Sequence, residues 1–148
     1  MKILFICHAN VCRSFMAQEL MKKLLPSAEV FSRGLYADPE LSVPQKVLQF
    51  LAQSQIPPAP HTPAQLTEAD LQRADFVFCM EPRHLDFLAD RYAQYTGKLW
   101  LLNDFAFGQE TAMEDPIGLQ GRAFEKQARL LQKAVIACAA RLKQEQAD

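Results

Sequence analysis

No apolar stretch in this 148-residue sequence approaches the length that crosses a bilayer. The first apolar run, Ile3-Leu4-Phe5-Ile6, is too short for the core of a secretory signal, and no cleavage site follows it. A cytoplasmic protein is therefore expected. Charge of one sign is missing as well. The formal net charge is −1, with acidic and basic residues interspersed, so there is no basic stripe for nucleic acid and no polybasic patch for a membrane surface. No repeat, linker or low-complexity segment divides the chain, and its length suits one domain over 1–148. Clustered His-Cys pairs are absent, which leaves no zinc ligand set, and no metal or other cofactor is expected. Four cysteines in a reducing compartment do not make a disulfide framework. Cys79 and Cys138 read as buried; Cys7 and Cys12 do not.

What is present is an alternation of strands and helices. Residues 2–7 form a continuous apolar run, the mark of a strand buried on both faces. Met16, Leu20, Met21 and Leu24 then recur at helical spacing, giving a helix over 13–25 with Pro26 just beyond it. Val30 and Phe31 suggest a short second strand closed by Ser32-Arg33-Gly34. Ser42 and Gln45 fit a capping box ahead of a helix through Val47, Leu48 and Leu51, with Pro44 in its first turn. Four prolines (Pro57, Pro58, Pro60, Pro63) make 56–64 a loop, and Thr67 can cap a short helix. Phe76-Val77-Phe78-Cys79 reads as a third buried strand, followed by a helix that starts at Pro82, carries Leu85, Leu88 and Tyr92, and has His84 on its surface. Leu99-Trp100-Leu101-Leu102 is a fourth strand, and 103–118 a long loop of the kind that often carries function. Phe124, Ala128, Leu131, Val135, Cys138 and Leu142 then put one apolar stripe along a final helix. The pattern predicts an α/β fold, a parallel sheet covered on both faces, with ligands bound beyond the carboxyl ends of the strands.

Cys7 falls at such an end. A cysteine, five intervening residues and then an arginine opening a helix allow the loop His8-Ala9-Asn10-Val11-Cys12 to turn its backbone N–H groups inward. A nest of that kind, backed by a helix N-terminus, binds a dianionic phosphate. Arg13 adds a planar fork that grips two phosphate oxygens at once. The same field favours the thiolate form of the cysteine, which attacks phosphorus to give a phosphocysteine. Ser14 is placed to donate a hydrogen bond to that thiolate. Downstream, Asp115-Pro116-Ile117-Gly118 offers an acid on the long loop: Asp115 as general acid for the leaving oxygen, then general base for the water, with Pro116 stiffening the backbone beside it. Cys7 taken alone has the commonest role of a lone cysteine, buried at a strand end, and Asp115 alone reads better as a turn-capping aspartate. The combination with Arg13 and Ser14 decides for chemistry.

On Cys7, Arg13, Ser14, Asp115 and Pro116 the chain resembles the low-molecular-weight protein tyrosine phosphatases, whose signature is a Cys-x5-Arg-Ser/Thr loop near the N-terminus and an Asp-Pro before the last helix. The resemblance spans essentially the whole chain. It implies a three-layer, flavodoxin-like sandwich with a four-stranded parallel sheet. It also implies a left-handed Asn10, a Ser32–Gly34 segment beside the loop, and His61 bracing the loop through that asparagine. It favours a reversible Cys7–Cys12 disulfide over simple packing of Cys12. Tyr36 and Ile117 become pocket-wall candidates and His8 a rim residue, each with a plain surface reading beside it. Three departures stand out. Ala9 replaces a usual glycine and would be strained by ~1–2 kcal/mol if its φ were positive. Phe15 replaces a proline, and Ile117 replaces an aromatic residue.

The implied substrate is a phosphorylated protein, with phosphotyrosine first, and phosphate-like oxyanions should inhibit. Phosphoarginine hydrolysis is an alternative; relatives with that activity tend to carry threonine where this chain has apolar Val11. Arsenate reduction on the same fold needs further thiols, and residues 80–137 contain none. A phosphoprotein-binding module with weakened catalysis is the third alternative.

Overall fold

The computed structural model describes residues 1–57 and 59–147. Pro58, one of the four loop prolines, and Asp148 lie outside the described residues. Four strands, β1 (Lys2–Cys7), β2 (Glu29–Gly34), β3 (Phe76–Cys79) and β4 (Leu99–Leu101), form one all-parallel sheet in the order β2-β1-β3-β4. The helices are α1 (Arg13–Leu24), α2 (Gln45–Gln53), α3 (Glu68–Arg73), α4 (Pro82–Arg91), α5 (Leu102–Phe107) and α6 (Gly121–Ala147), with a 3-10 turn over Ala93–Lys98.

The period of two along β1 divides the core. Ile3, Phe5 and Cys7 pack with α1, α2, α5 and α6, whereas Leu4 and Ile6 pack with Leu71 of α3 and Leu88 of α4. The sheet is therefore the middle of three layers. On α6 the stripe from Phe124 to Leu142 is buried as its spacing demands. The chain leaves β1 toward one face and β3 toward the other. These two strands are neighbours, so their carboxyl ends form the crevice at which such sheets bind ligands.

Several local expectations are corrected. The 103–118 segment is not all loop: Leu102 leaves β4 and starts α5, because Leu102 and Phe105 bury themselves at helical spacing. Gly108, at φ 66°, ends that helix in the left-handed conformation glycine tolerates. Ser42 makes no capping box. Pro44 is the cap of α2, in extended geometry, and no side chain bonds the first turn. By contrast, Thr67 and Asp70 form a reciprocal capping box on α3. The second strand runs through Ser32-Arg33-Gly34 rather than stopping before it.

Candidate active site

The loop from Cys7 to Arg13 joins β1 to α1 and hangs on the end of β2. Leu35 N–H donates to the Cys7 carbonyl at 3.0 Å and Tyr36 N–H to that of His8 at 2.9 Å, so pairing continues past the sheet into the loop. Gly34 is needed there for closeness, not for an unusual φ. A Cβ on it would lie 2.9 Å from the His8 carbonyl oxygen and 3.0 Å from the Ala9 carbonyl carbon.

Asn10 holds the loop's shape. Its φ is 61°, a left-handed turn that asparagine accepts more readily than most residues. Its Nδ2 donates to Ser14 Oγ (2.8 Å) and to Ser32 Oγ (2.9 Å), and its Oδ1 accepts from Ala64 N–H (3.0 Å). Ser32 passes its own proton to Gln18 Oε1 at 2.6 Å. The Asn10 carbonyl can only accept, so His61 Nε2, 2.7 Å away, is the protonated ring nitrogen. Burial lowers the His61 pKa, which keeps the ring neutral in that donating tautomer, and Phe15 stacks on it at 4.3 Å. Ala9 is not at positive φ, so the strain anticipated for it is absent.

Cys7 and Cys12 are both buried, contrary to the sequence expectation, because the loop folds back over the helix N-terminus. Two donors converge on Cys7 Sγ: Asn10 N–H at 3.3 Å and the Ser14 hydroxyl at 2.9 Å. A Cys7 thiolate can only accept, so in that form the one Ser14 proton points at sulfur, while the serine oxygen accepts from Asn10. Both contacts stabilise negative charge there. No bond from the N–H groups of Ala9, Val11 or Cys12 is found among the described residues. These donors, with the α1 terminus behind them, are available to an oxyanion. Cys12 is different in kind. Burial first, then the nearby Asp115 and Cys7, push its thiol up to about 12, so it stays protonated at neutral pH.

Arg13 is 2% exposed. Its Nη1 donates to Glu81 Oε2 (2.8 Å) and to the Met113 carbonyl (2.7 Å). Its Nη2 lies 3.7 Å from Asp115 Oδ2, and its Nε is buried without a partner. One side of the guanidinium is thus clamped, and the Nε–Nη2 side is left for a ligand. Asp115 is half-exposed on the 108–120 loop, with Oδ1 accepting from Ile117 N–H across Pro116, which is buried. Met113 N–H donates to the Met80 carbonyl, and Lys46 of α2 holds the carbonyls of Ile117 and Leu119, so the loop is tied down on both sides of Asp115. Tyr36 and Ile117 are exposed at the mouth, and the Tyr36 ring lies 5.2 Å from that of His8.

Glu81, Met113, Gln18 and Lys46 were not among the site residues read from sequence. Glu81 had a usable signal: an acid two residues past a buried strand at the carboxyl edge, where β3 adjoins β1. His84 is also misread as a surface residue. It is 4% exposed, with neither ring nitrogen hydrogen-bonded and Nε2 3.6 Å from Glu81 Oε2. Burial pushes its pKa down from 6.5 to about 4, against the pull of Glu81. Below pH ~6.5 the unfolded chain takes up a proton that the folded chain refuses, so stability falls with pH until about 4. Urea unfolding at pH 7 and pH 5 should show this as about 2 kcal/mol of pH-dependent loss in the wild type that is missing in His84→Asn. An equal loss in both would assign the effect elsewhere.

A thiol held by two donors beside a buried, half-clamped guanidinium, at a helix N-terminus, is the equipment of a cysteine-dependent phosphatase. A family model described as low molecular weight phosphotyrosine protein phosphatase matches residues 2–148. The chain belongs to that family. It is 29% identical over 141 residues to the probable low molecular weight protein-tyrosine-phosphatase EpsP of Ralstonia nicotianae, covering 95% of each chain. It is 35% identical over 120 residues to a protein-arginine-phosphatase of Geobacillus stearothermophilus, covering 79% of each. The solved structure of the YwlE arginine phosphatase from the same organism superposes with a TM-score of 0.91 at 29% identity, covering 99% of this chain and 95% of that one. Among the described residues no cluster of His, Cys, Asp or Glu is gathered for a metal, and no helix is long and apolar enough to cross a membrane.

Proposed function

We propose that the protein, a single catalytic domain over 1–148 acting in the cytoplasm, removes phosphate from phosphotyrosine in proteins. Cys7 Sγ attacks phosphorus in line with the ester oxygen. The P–O bond breaks as the Asp115 carboxyl gives its proton to the departing phenol oxygen. A water then attacks the phosphocysteine, its proton passes to the Asp115 carboxylate, and the S–P bond breaks to release phosphate. Arg13 and the N–H groups of Ala9, Val11 and Cys12 hold the phosphoryl oxygens throughout, so no metal is required for charge. The observation that carries this reading is the buried, unpartnered Nε of Arg13 beside a guanidinium nitrogen already fixed by Glu81 and Met113. It is an open fork for two oxygens of one tetrahedral anion. Phosphate and vanadate should compete for it.

Phosphotyrosine is preferred to phosphoarginine because Val11 is apolar and buried and offers a guanidinium no hydroxyl. The exposed Tyr36 and His8 rings at the mouth suit an aromatic ester, although Ile117 contributes no ring of its own. The test uses fresh reductant and a chelator. Turnover of para-nitrophenyl phosphate is expected, with phosphotyrosine peptides cleaved faster than phosphoarginine peptides. Asp115→Ala should slow phenyl phosphate by about 10²–10³-fold, but the nitrophenyl ester less, because its leaving group needs less protonation. Faster phosphoarginine cleavage would overturn the substrate assignment, and equal losses on both esters would overturn the acid.

A further inference from the structure

Beside the mouth, a groove of about 430 Å³ runs between the exit of β2 and helix α4. Leu35 and Leu66 are among its lining residues, Tyr36 stands at the end nearer the phosphate loop, and Phe87 and Arg91 line it from α4. Tyr36 is 63% exposed and Phe87 40%, a large apolar investment for open surface. Among the described residues no acidic side chain lines the groove, and Arg91 is its one charged lining residue. Among the described residues Arg91 has no carboxylate within ion-pair distance; its Nε reaches only the Tyr92 hydroxyl, at 3.4 Å. Gln65 is not available to a ligand in the same way. Its amide is spent bracing the β2 exit, donating to the Leu35 carbonyl (2.7 Å) and accepting from Ala37 N–H (3.0 Å).

The groove is continuous with the phosphate loop. Tyr36 N–H bonds the His8 carbonyl, and the two rings touch. A protein segment whose phosphorylated side chain enters over Cys7 passes His8 and Tyr36 before reaching Phe87. We propose that this groove is a docking subsite for the residues flanking the phosphorylated one in a protein substrate, taking an apolar side chain between Tyr36 and Phe87 and an acidic side chain on Arg91. The subsite rests on the phosphatase reading of the neighbouring loop and adds sequence preference to it. An unpaired guanidinium at the rim of an apolar slot selects by charge, while the slot supplies contact area.

The test is a set of phosphotyrosine peptides carrying an Asp–Leu pair, a Lys–Leu pair or alanines at each flanking position. The wild type should favour Asp–Leu on one flank by roughly five- to ten-fold in kcat/KM over alanines, the scale of one exposed ion pair with its apolar neighbour. Arg91→Glu should move that preference to the Lys–Leu peptide, and Phe87→Ser should flatten it. Nitrophenyl phosphate, which cannot reach the groove, should change less than about two-fold in either variant. The same flank preference in wild type and Arg91→Glu would overturn the proposal. So would a dimer, seen by sedimentation, that Arg91→Glu dissolves, because the groove would then belong to a second copy. If the wild type cleaves no ester at all, the catalytic reading fails by itself. The groove is then read from fluorescence anisotropy of the same peptides bearing a non-hydrolysable phosphonate, where the Asp-to-Lys inversion in Arg91→Glu must still appear.

Discussion

Cys7→Ser should abolish turnover while leaving the fold and the phosphate site in place. The sulfur is buried, and its neighbours are set to receive a small, negatively charged atom: the Asn10 N–H and the one proton of Ser14. A serine oxygen fits that space and can still accept from Ser14, but it stays protonated near neutral pH and presents no anionic nucleophile. The step that depends on an anionic nucleophile is lost, and a fall on the order of 10⁴-fold or more in kcat is expected. Phosphate binding draws on Arg13, the N–H groups of Ala9, Val11 and Cys12 and the helix terminus, none of which bonds the sulfur. Phosphate should therefore still raise the melting temperature of the variant. Turnover within ten-fold of wild type would place the nucleophile elsewhere. Loss of the phosphate-induced stabilisation would mean the loop had collapsed.

Arg13→Lys keeps the charge and is expected to lower kcat/KM by about 10²–10³-fold, because an ammonium cannot serve two places at once. The guanidinium uses Nη1 to hold Glu81 and the Met113 carbonyl, and offers Nε and Nη2 to the ligand. A lysine nitrogen that reaches Glu81 leaves the phosphate without its fork, and one that reaches the phosphate leaves Glu81 and Met113 unsatisfied. Phosphate inhibition constants and steady-state kinetics measured together separate these cases. A lysine enzyme with near-normal kcat/KM would show that charge alone, without the two-pronged geometry, carries the role assigned to Arg13.

The parts of the site that spacing alone makes readable are those made by residues close together in the chain; Asp115, far downstream, becomes readable only beside that loop, and His61 only through the family resemblance. Cys7 to Ser14 is one strand end, one turn and one helix start, and its chemistry follows from spacing. Most of the sheet was equally readable, since β1 and β3 are compact apolar runs and α6 shows its stripe over its whole length. What escaped is what the fold assembles from afar. Glu81 and Met113 meet Arg13 across 68 and 100 residues, and Lys46 ties the Asp115 loop across 71 and 73. No local pattern marks Met113 or Lys46, and Glu81 shows only its place just past a buried strand. His84 was misjudged because a polar residue on a short amphipathic helix is usually wet. Here the helix turns it inward beside Glu81, without a hydrogen bond to satisfy it. The α5 segment was missed for another reason. Six residues are too few to display a period, and Leu102 extended the apolar run of β4 without a break.

The single proton of Ser14 has a consequence for the second half of the proposed reaction. Asn10 donates to the serine oxygen, which leaves the one hydroxyl proton to serve the sulfur whenever sulfur carries charge. When sulfur becomes bonded to phosphorus it loses its charge, and that hydroxyl is left facing a poor acceptor. The mismatch raises the energy of the covalent adduct and is relieved as the S–P bond lengthens and charge returns to sulfur. The contact that readies the attacking atom therefore also makes it a better leaving group, and the adduct is kept from becoming a resting place.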